Sequence, residues 1–192
     1  SRGCSRPTTQ LSDFDGDGMP DVLSSTNEDR ITVKSSTINR TNMLKTVYRP
    51  MGSNFTLDYM QTPATYNHPG GKWALASVKS FDGHVGDGID SSLVSFEYEN
   101  GFYNRREREF YGFETVKTHQ HDASNKNAIY RTVEQHFDNT SYYTKGALLS
   151  ETLMDGKGRK QTGSENIYSL RHITTGDLLS SDYSQSDNLP IF

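Results

Sequence analysis

Residues 100–114 read NGFYNRREREFYGFE, a run of arginine and glutamate set between aromatic clusters, with glycine near each end. As a helix, the segment would pair Arg105 with Glu109 at i,i+4. The flanking Asn100-Gly101 and the Tyr111-Gly112-Phe113 segment leave that helix short and without an apolar stripe. An extended chain fits better. Asn100-Gly101 is the pair best suited to a type I′ hairpin, whose two central residues both need φ > 0. The sequence therefore predicts a strand ending at Asn100. Residues 102–119 then form one long twisted strand or a strand broken at Gly112. Period two puts Arg106, Arg108 and Phe110 on one face and Arg105, Glu107, Glu109, Tyr111 and Phe113 on the other.

The same alternation extends in both directions. Residues 43–49 (MLKTVYR) and 54–60 (NFTLDYM) flank the turn formers Pro50, Gly52 and Ser53. Residues 73–80 (WALASVKS), 92–99 (SLVSFEYE), 129–137 (IYRTVEQHF) and 147–154 (ALLSETLM) read as further strands, and Asp155-Gly156-Lys157-Gly158 turns the chain into residues 159–168. No long segment carries apolar residues at i, i+3, i+4 and i+7, so the fold class is all-β, built of antiparallel hairpins in a meander. Hydrophobic residues make up 32% of the 192 and aromatics 11%, which suits half-buried strands better than thick helical cores. The net charge of −4 gives no overall attraction to nucleic acid or anionic lipid, and no apolar run of some twenty residues is present. Cys4 is the only cysteine, so no internal disulfide forms; beside Arg2 and Arg6 its thiol has some potential reactivity. The polar start, SRGCSRPTTQ, and the abrupt finish, SQSDNLPIF, read as the ends of a piece of a longer chain.

The strongest chemical motif is LSDFDGDGMPDVL, residues 11–23. Asp13, Asp15, Asp17 and Asp21 stand at positions 1, 3, 5 and 9 of a calcium loop, Gly18 at the sharp sixth position, and Met19 at the seventh, where a carbonyl ligates. Ca²⁺ is a hard cation that takes about six to eight oxygens, and this spacing wraps it with carboxylates that would otherwise repel one another. An EF-hand needs a bidentate Glu at position 12 and helices on both sides; here position 12 is Ser24, and Pro20 stops a helix. The loop is expected to be a Ca²⁺ clip between two strands, with Val22-Leu23 entering the second. An acidic surface turn without a metal is the plainer alternative.

Other candidates are weaker. Glu107 and Glu109 would lie ~6.5–7 Å apart on a strand, a spacing an inverting glycosidase tolerates, but the adjacent arginines hold both carboxylates ionised. In residues 81–90 (FDGHVGDGID), His84, Asp87 and Asp90 offer metal ligands at irregular spacing, and a flexible hairpin connection is the simpler reading. His119 and His121, two apart on a strand, offer weak chelation or exposed decoration; His68, His136 and His172 are scattered. No phosphate loop, nucleophile elbow or Cys/His metal pattern is present.

DFDGDGMPDVL resembles the calcium loop of FG-GAP/VCBS β-propeller repeats. The chain beyond this loop resembles the segment after such repeats in the SpvB/TcaC-like and TcdB-like B components of bacterial insecticidal toxin complexes, relatives of RHS/YD-repeat proteins. The stretches that carry this are NMLKTVYRPMGSNFTLDYMQT, WALASVKSFDG, FEYENGFYNRREREFYGFETVKT and YYTKGALLSETLMDGKGRKQTGSENIY, in the family's order over residues 11–170. The last is similar to a degenerate YD repeat at residues 147–168. The resemblance implies a secreted or surface-delivered bacterial protein. Residues 1–40 would be the end of a calcium-binding propeller repeat, and residues 41–192 part of an RHS-type β-sheet shell around a toxic payload. It implies partnership with other toxin-complex subunits or the remainder of a longer RHS chain, and no catalytic residue. A single calcium motif departs from the several of a whole propeller. The expectation is a non-enzymatic structural segment stabilised by Ca²⁺. Its rivals are a calcium-dependent adhesion or carbohydrate-binding module with Trp73, Tyr103 and Tyr111 on one exposed face, and a hydrolase using Glu107 and Glu109.

Overall fold

A computed structural model describes residues 8–16, 18–27, 29–37, 42–84, 86 and 88–180 of the chain. The described residues form thirteen strands and no helix. In order they are β1 (Thr8–Ser12), β2 (Asp21–Asn27), β3 (Arg30–Lys34), β4 (Thr46–Tyr48), β5 (Asn54–Gln61), β6 (Trp73–Phe81), β7 (Ser91–Asn104), β8 (Glu109–Asp122), β9 (Ala128–Asp138), β10 (Ala147–Asp155), β11 (Lys160–Glu165), β12 (Leu170–Arg171) and β13 (Leu178–Ser180). β1 to β3 make one antiparallel sheet and β12 and β13 a two-stranded ribbon. Strands β4 to β11 form an eight-stranded antiparallel meander in which every strand pairs with its sequence neighbours. The all-β, antiparallel expectation holds, and each strand read from the central part of the sequence has a counterpart.

The register separates two faces. Leu57 pairs with Val78 and Val78 with Val94; two residues along β7, Phe96 aligns with Thr118, then Val133, then Leu153. The opposite face carries Ser77, Ser95, Glu97, Lys117, His119, Thr132, Glu134 and Thr152, with Phe81, Leu93 and Met154 as apolar exceptions, while the first face also carries Gln120, Gln135 and Glu151. Lys117 sits between Glu99 at 2.7 Å and Glu134 at 3.7 Å, and the Glu99 bond foremost raises its pKa. Opposite charges on neighbouring strands thus support the wet face. No side chain of the apolar row is fully buried, and strands meet only their hydrogen-bonded neighbours. Among the described residues, Tyr111 is the only hydrophobic residue that is buried, at 7% exposure. The eight-stranded sheet is a single wall without a second layer of described strands against it.

One sequence expectation fails here. Asn100-Gly101 does not turn the chain: both residues lie inside β7, and Gly101 pairs with Phe113 across the ladder. The chain reverses at residues 105–108, with Asn104 opposite Glu109. The side chain of Asn104 makes that turn, its Oδ1 accepting from the N–H of Arg106 at 2.9 Å and of Glu107 at 3.0 Å, while Arg108 takes a φ of 56°. Asn is well suited to bonding its own backbone two residues on. The two-faced assignment of Arg105 to Glu109 along one strand is therefore wrong, because four of those residues are the turn. Asn100 does have the positive φ its type tolerates (55°), spent on an irregularity within a strand instead of at a reversal.

Candidate functional site

The acidic loop connects β1 to β2, whose ends Ser12 and Asp21 are paired, so it bridges two strands as the sequence predicts. Asp13 accepts through one oxygen from the N–H of Gly16 at 2.7 Å and through the other from Gly18 at 2.9 Å. Both glycines have φ near 80°, a conformation that costs them nothing. Asp21 is completely buried and accepts from Ser36 and Phe14 N–H, each at 2.8 Å. Those bonds, Ser36 first, hold its carboxyl below the ordinary value of 3.8. Asp13, Asp15 and Asp21 each bring a carboxylate oxygen within 4.8 Å of the others. Oxygens on opposite sides of a Ca²⁺ stand about 4.6–5.2 Å apart, so this donor set fits the ion. Met19 is half-buried in the same turn, and Asp17 lies outside the described residues. Backbone N–H donors meet the Asp13 and Asp21 carboxylates within this arrangement. Gln61 on β5 ties it to the large sheet by donating to the Gly16 carbonyl at 3.1 Å.

The second cluster surrounds the turn at residues 105–108. Arg105 donates to the Tyr66 carbonyl at 2.8 Å and stacks 4.6 Å above the Tyr66 ring. Tyr103 N–H donates to the Asn67 carbonyl at 2.7 Å. On the other flank, Glu109 pairs with Lys145 at 2.8 Å, and this bond raises the lysine pKa. The Lys145 ammonium also sits 5.1 Å from the Tyr111 ring and 4.6 Å from that of Tyr142. Asn139 donates to the Phe113 carbonyl and accepts from Gly146 N–H, filling the space that Gly112 leaves open. The arginine–glutamate run thus holds two loops, residues 62–72 and 138–146, against one hairpin. As for the hydrolase candidates, the Glu109 carboxylate is committed to Lys145, and Glu107 sits in the turn itself.

The remaining candidates are dispersed. His119 bonds Thr132 through Nδ1 at 2.9 Å, and His121 has Ser95 and the Asn127 carbonyl on its two nitrogens, both at 2.8 Å. His84 and Asp90 sit in the β6–β7 connection, and Asp87 lies outside the described residues, as does Cys4. Tyr111 is only 7% exposed, so Trp73, Tyr103 and Tyr111 do not form an exposed aromatic platform. A concavity of about 820 Å³ lies at the far end of β7, among Arg49, Phe55, Phe81, Asp90, His121 and Tyr130. Sequence reasoning missed the parts played by His68, Asn139 and Lys145. Only Asn104, an Asx-turn former before a charged run, carried a local signal.

Residues 2–147 match the family model described as the insecticide toxin TcdB middle/N-terminal region. The chain belongs to this TcdB family. Among solved structures, a TcdB2–TccC3–Cdc42 crystal structure superposes with a TM-score of 0.64 at 15% identity, covering 90% of this TcdB-family chain and 12% of that one. A TcdB2–TccC3 crystal structure gives 0.64 at 16% identity, with 90% and 12% coverage. The Photorhabdus luminescens Tc holotoxin pore gives 0.59 at 16% identity, with 78% and 10%. At these identities the likeness is one of fold, and the chain spans about a tenth to an eighth of the length of the chains it matches. No curated protein sequence matches it.

Proposed function

We propose that this chain is a non-catalytic wall segment of a secreted insecticidal toxin protein, working with other toxin-complex subunits or the remainder of a longer chain. The observation that carries this reading is the family match over residues 2–147, joined to a sheet with one unpaired apolar face. Such a face needs a covering layer, and a much longer chain or a partner subunit supplies one. In the finer form of the proposal, the sheet belongs to an RHS-type shell that encloses or delivers a payload. Residues 147–168 are then a YD-like repeat, and residues 1–40 end a propeller-type calcium repeat. Residues of the first loop, Asp13, Asp15, Asp17, Met19 and Asp21, would hold Ca²⁺, which supplies positive charge to fix the β1–β2 connection.

The test is toxicity and subunit co-purification of the full-length protein. Glu107→Gln/Glu109→Gln is expected to retain both, whereas Val94→Asp/Val133→Asp loses both. Loss of toxicity in the glutamine variant with assembly intact would overturn the non-catalytic reading. Calcium is tested separately by calorimetry. At a free concentration a hundredfold above Kd, removing it with a chelator should lower the melting temperature by about 5–10 °C. Asp13→Asn/Asp15→Asn should abolish that difference, and an unchanged wild-type melting temperature would remove the metal from the account.

A further inference from the structure

His68 is an ionisable side chain in an apolar place. It sits on the residue 62–72 loop, which leaves β5 and returns to β6. Thr62 closes the base of that loop: its N–H and its hydroxyl both donate to the Lys72 carbonyl, and its Oγ1 accepts from Lys72 N–H. Thr65 and His68 exchange two backbone bonds near the tip. The His68 ring, 2% exposed, packs 4.6 Å from the Phe110 ring and 5.9 Å from that of Phe113. Gly101 lies directly beneath, where an added Cβ would stand 2.9 Å from the imidazole.

Of the two ring nitrogens, Nε2 lies 3.4 Å from the Thr62 hydroxyl, and Nδ1 is buried with no hydrogen-bond partner. The imidazolium carries a proton on both nitrogens, so whichever tautomer the neutral ring adopts, the charged ring holds a buried Nδ1–H that no acceptor meets. Charged groups on the loop and the hairpin include Lys72, with its ammonium 5.3 Å over Phe110, Arg105 on Tyr66, Glu114, which is held by Asn100, Glu109, which is paired with Lys145, and Glu99, which is paired with Lys117. Burial first, and then Lys72, lower the His68 pKa below the ordinary 6.5.

We infer that His68 makes closure of the residue 62–72 loop over the β7–β8 hairpin pH-dependent. The neutral ring holds the loop down; the imidazolium releases it and uncovers Phe110 and Phe113. This inference does not depend on the toxin-complex reading. Linkage sets the sign: the open loop takes up the proton more readily, so closure is fully favoured above about pH 7 and weakens as pH falls below 6.5. With an ordinary value in the open form, the gain in opening by pH 5 is at most about thirtyfold.

The experiment is hydrogen exchange on the full-length protein at pH 7.5 and 5.0, corrected for intrinsic rates, reading the Thr62, His68, Lys72 and Tyr103 amides. Wild type is expected to open about three- to thirtyfold more at pH 5.0. His68→Phe keeps the ring contacts without a proton site, and its opening should not change. Equal protection of wild type at both values, or the same rise in His68→Phe, overturns the proposal. If His68→Phe does not fold, Lys72→Met decides: removing the nearby cation must shrink the rise, and a rise equal to wild type overturns it.

Discussion

Asp155 shows how much one residue can fix. It begins the turn between β10 and β11, accepting from the N–H of Lys157 and of Arg159 at 2.9 Å each. The Arg159 guanidinium adds a fork, with Nε at 2.8 Å and a terminal nitrogen at 2.7 Å. Paired contacts of this kind fix geometry as well as charge. Together, with the Arg159 backbone bond foremost, they lower the Asp155 pKa from 3.8 to about 2. Because the folded value is the lower one, its stabilising effect is complete above about pH 4 and is lost as pH falls through about 2. Wild type should therefore melt above Asp155→Asn at pH 7, with the gap closing between pH 4 and 2. A gap that persists unchanged at pH 2, or is missing at pH 7, would show that the carboxylate does not carry the turn. This turn was legible in the sequence, because Asp-Gly-Lys-Gly bonds locally and needs no distant partner.

At the scale of elements, legibility depended on whether the deciding contact was local. Strands β5, β6, β9 and β10 were readable within a residue or two from alternation alone, since each has one wet and one drier face. Asn100-Gly101 misled for a tertiary reason: the glycine is there to admit His68 from a loop more than thirty residues earlier, and no local pattern reports that approach. The acidic loop was legible as a strand-to-strand connection, yet one donor to the buried Asp21, the Ser36 N–H, comes from beyond the motif. Gly101 also carries a prediction about how the residue 62–72 loop docks. In Gly101→Ala, the new methyl meets the His68 ring at 2.9–3.0 Å and the Phe113 ring at 3.2 Å, and neither is a flexible chain end. Overpacking of this kind costs about 1–3 kcal/mol. The expected result is a lower denaturation midpoint at unchanged m-value, with faster exchange in residues 62–72. An unperturbed midpoint would mean that the loop is not held by this contact.

At the scale of the whole molecule, the governing fact is a wall with an unfinished side. Leu57, Val78, Val94, Phe96, Val133 and Leu153 share one face and none is fully buried. Each is at most about a third exposed, so covering one gains about 0.5 kcal/mol, and six in one patch supply a few kcal/mol to whatever lies on them. The edges add to this, because β4 and β11 each leave one side of their backbone unpaired in the sheet, an open template for association. β11 is polar and exposed along its length, which limits pairing there and leaves the apolar face as the main driving surface. The 192-residue chain expressed alone should therefore self-associate at micromolar concentration and bind an environment-sensitive apolar dye. Val94→Lys/Val133→Lys places charge in the middle of the patch and should shift sedimentation toward the monomer while reducing dye binding. A wild-type chain that sediments as a monomer and leaves the dye dark would mean that this face is already covered within the chain, and the wall would then need no outside layer.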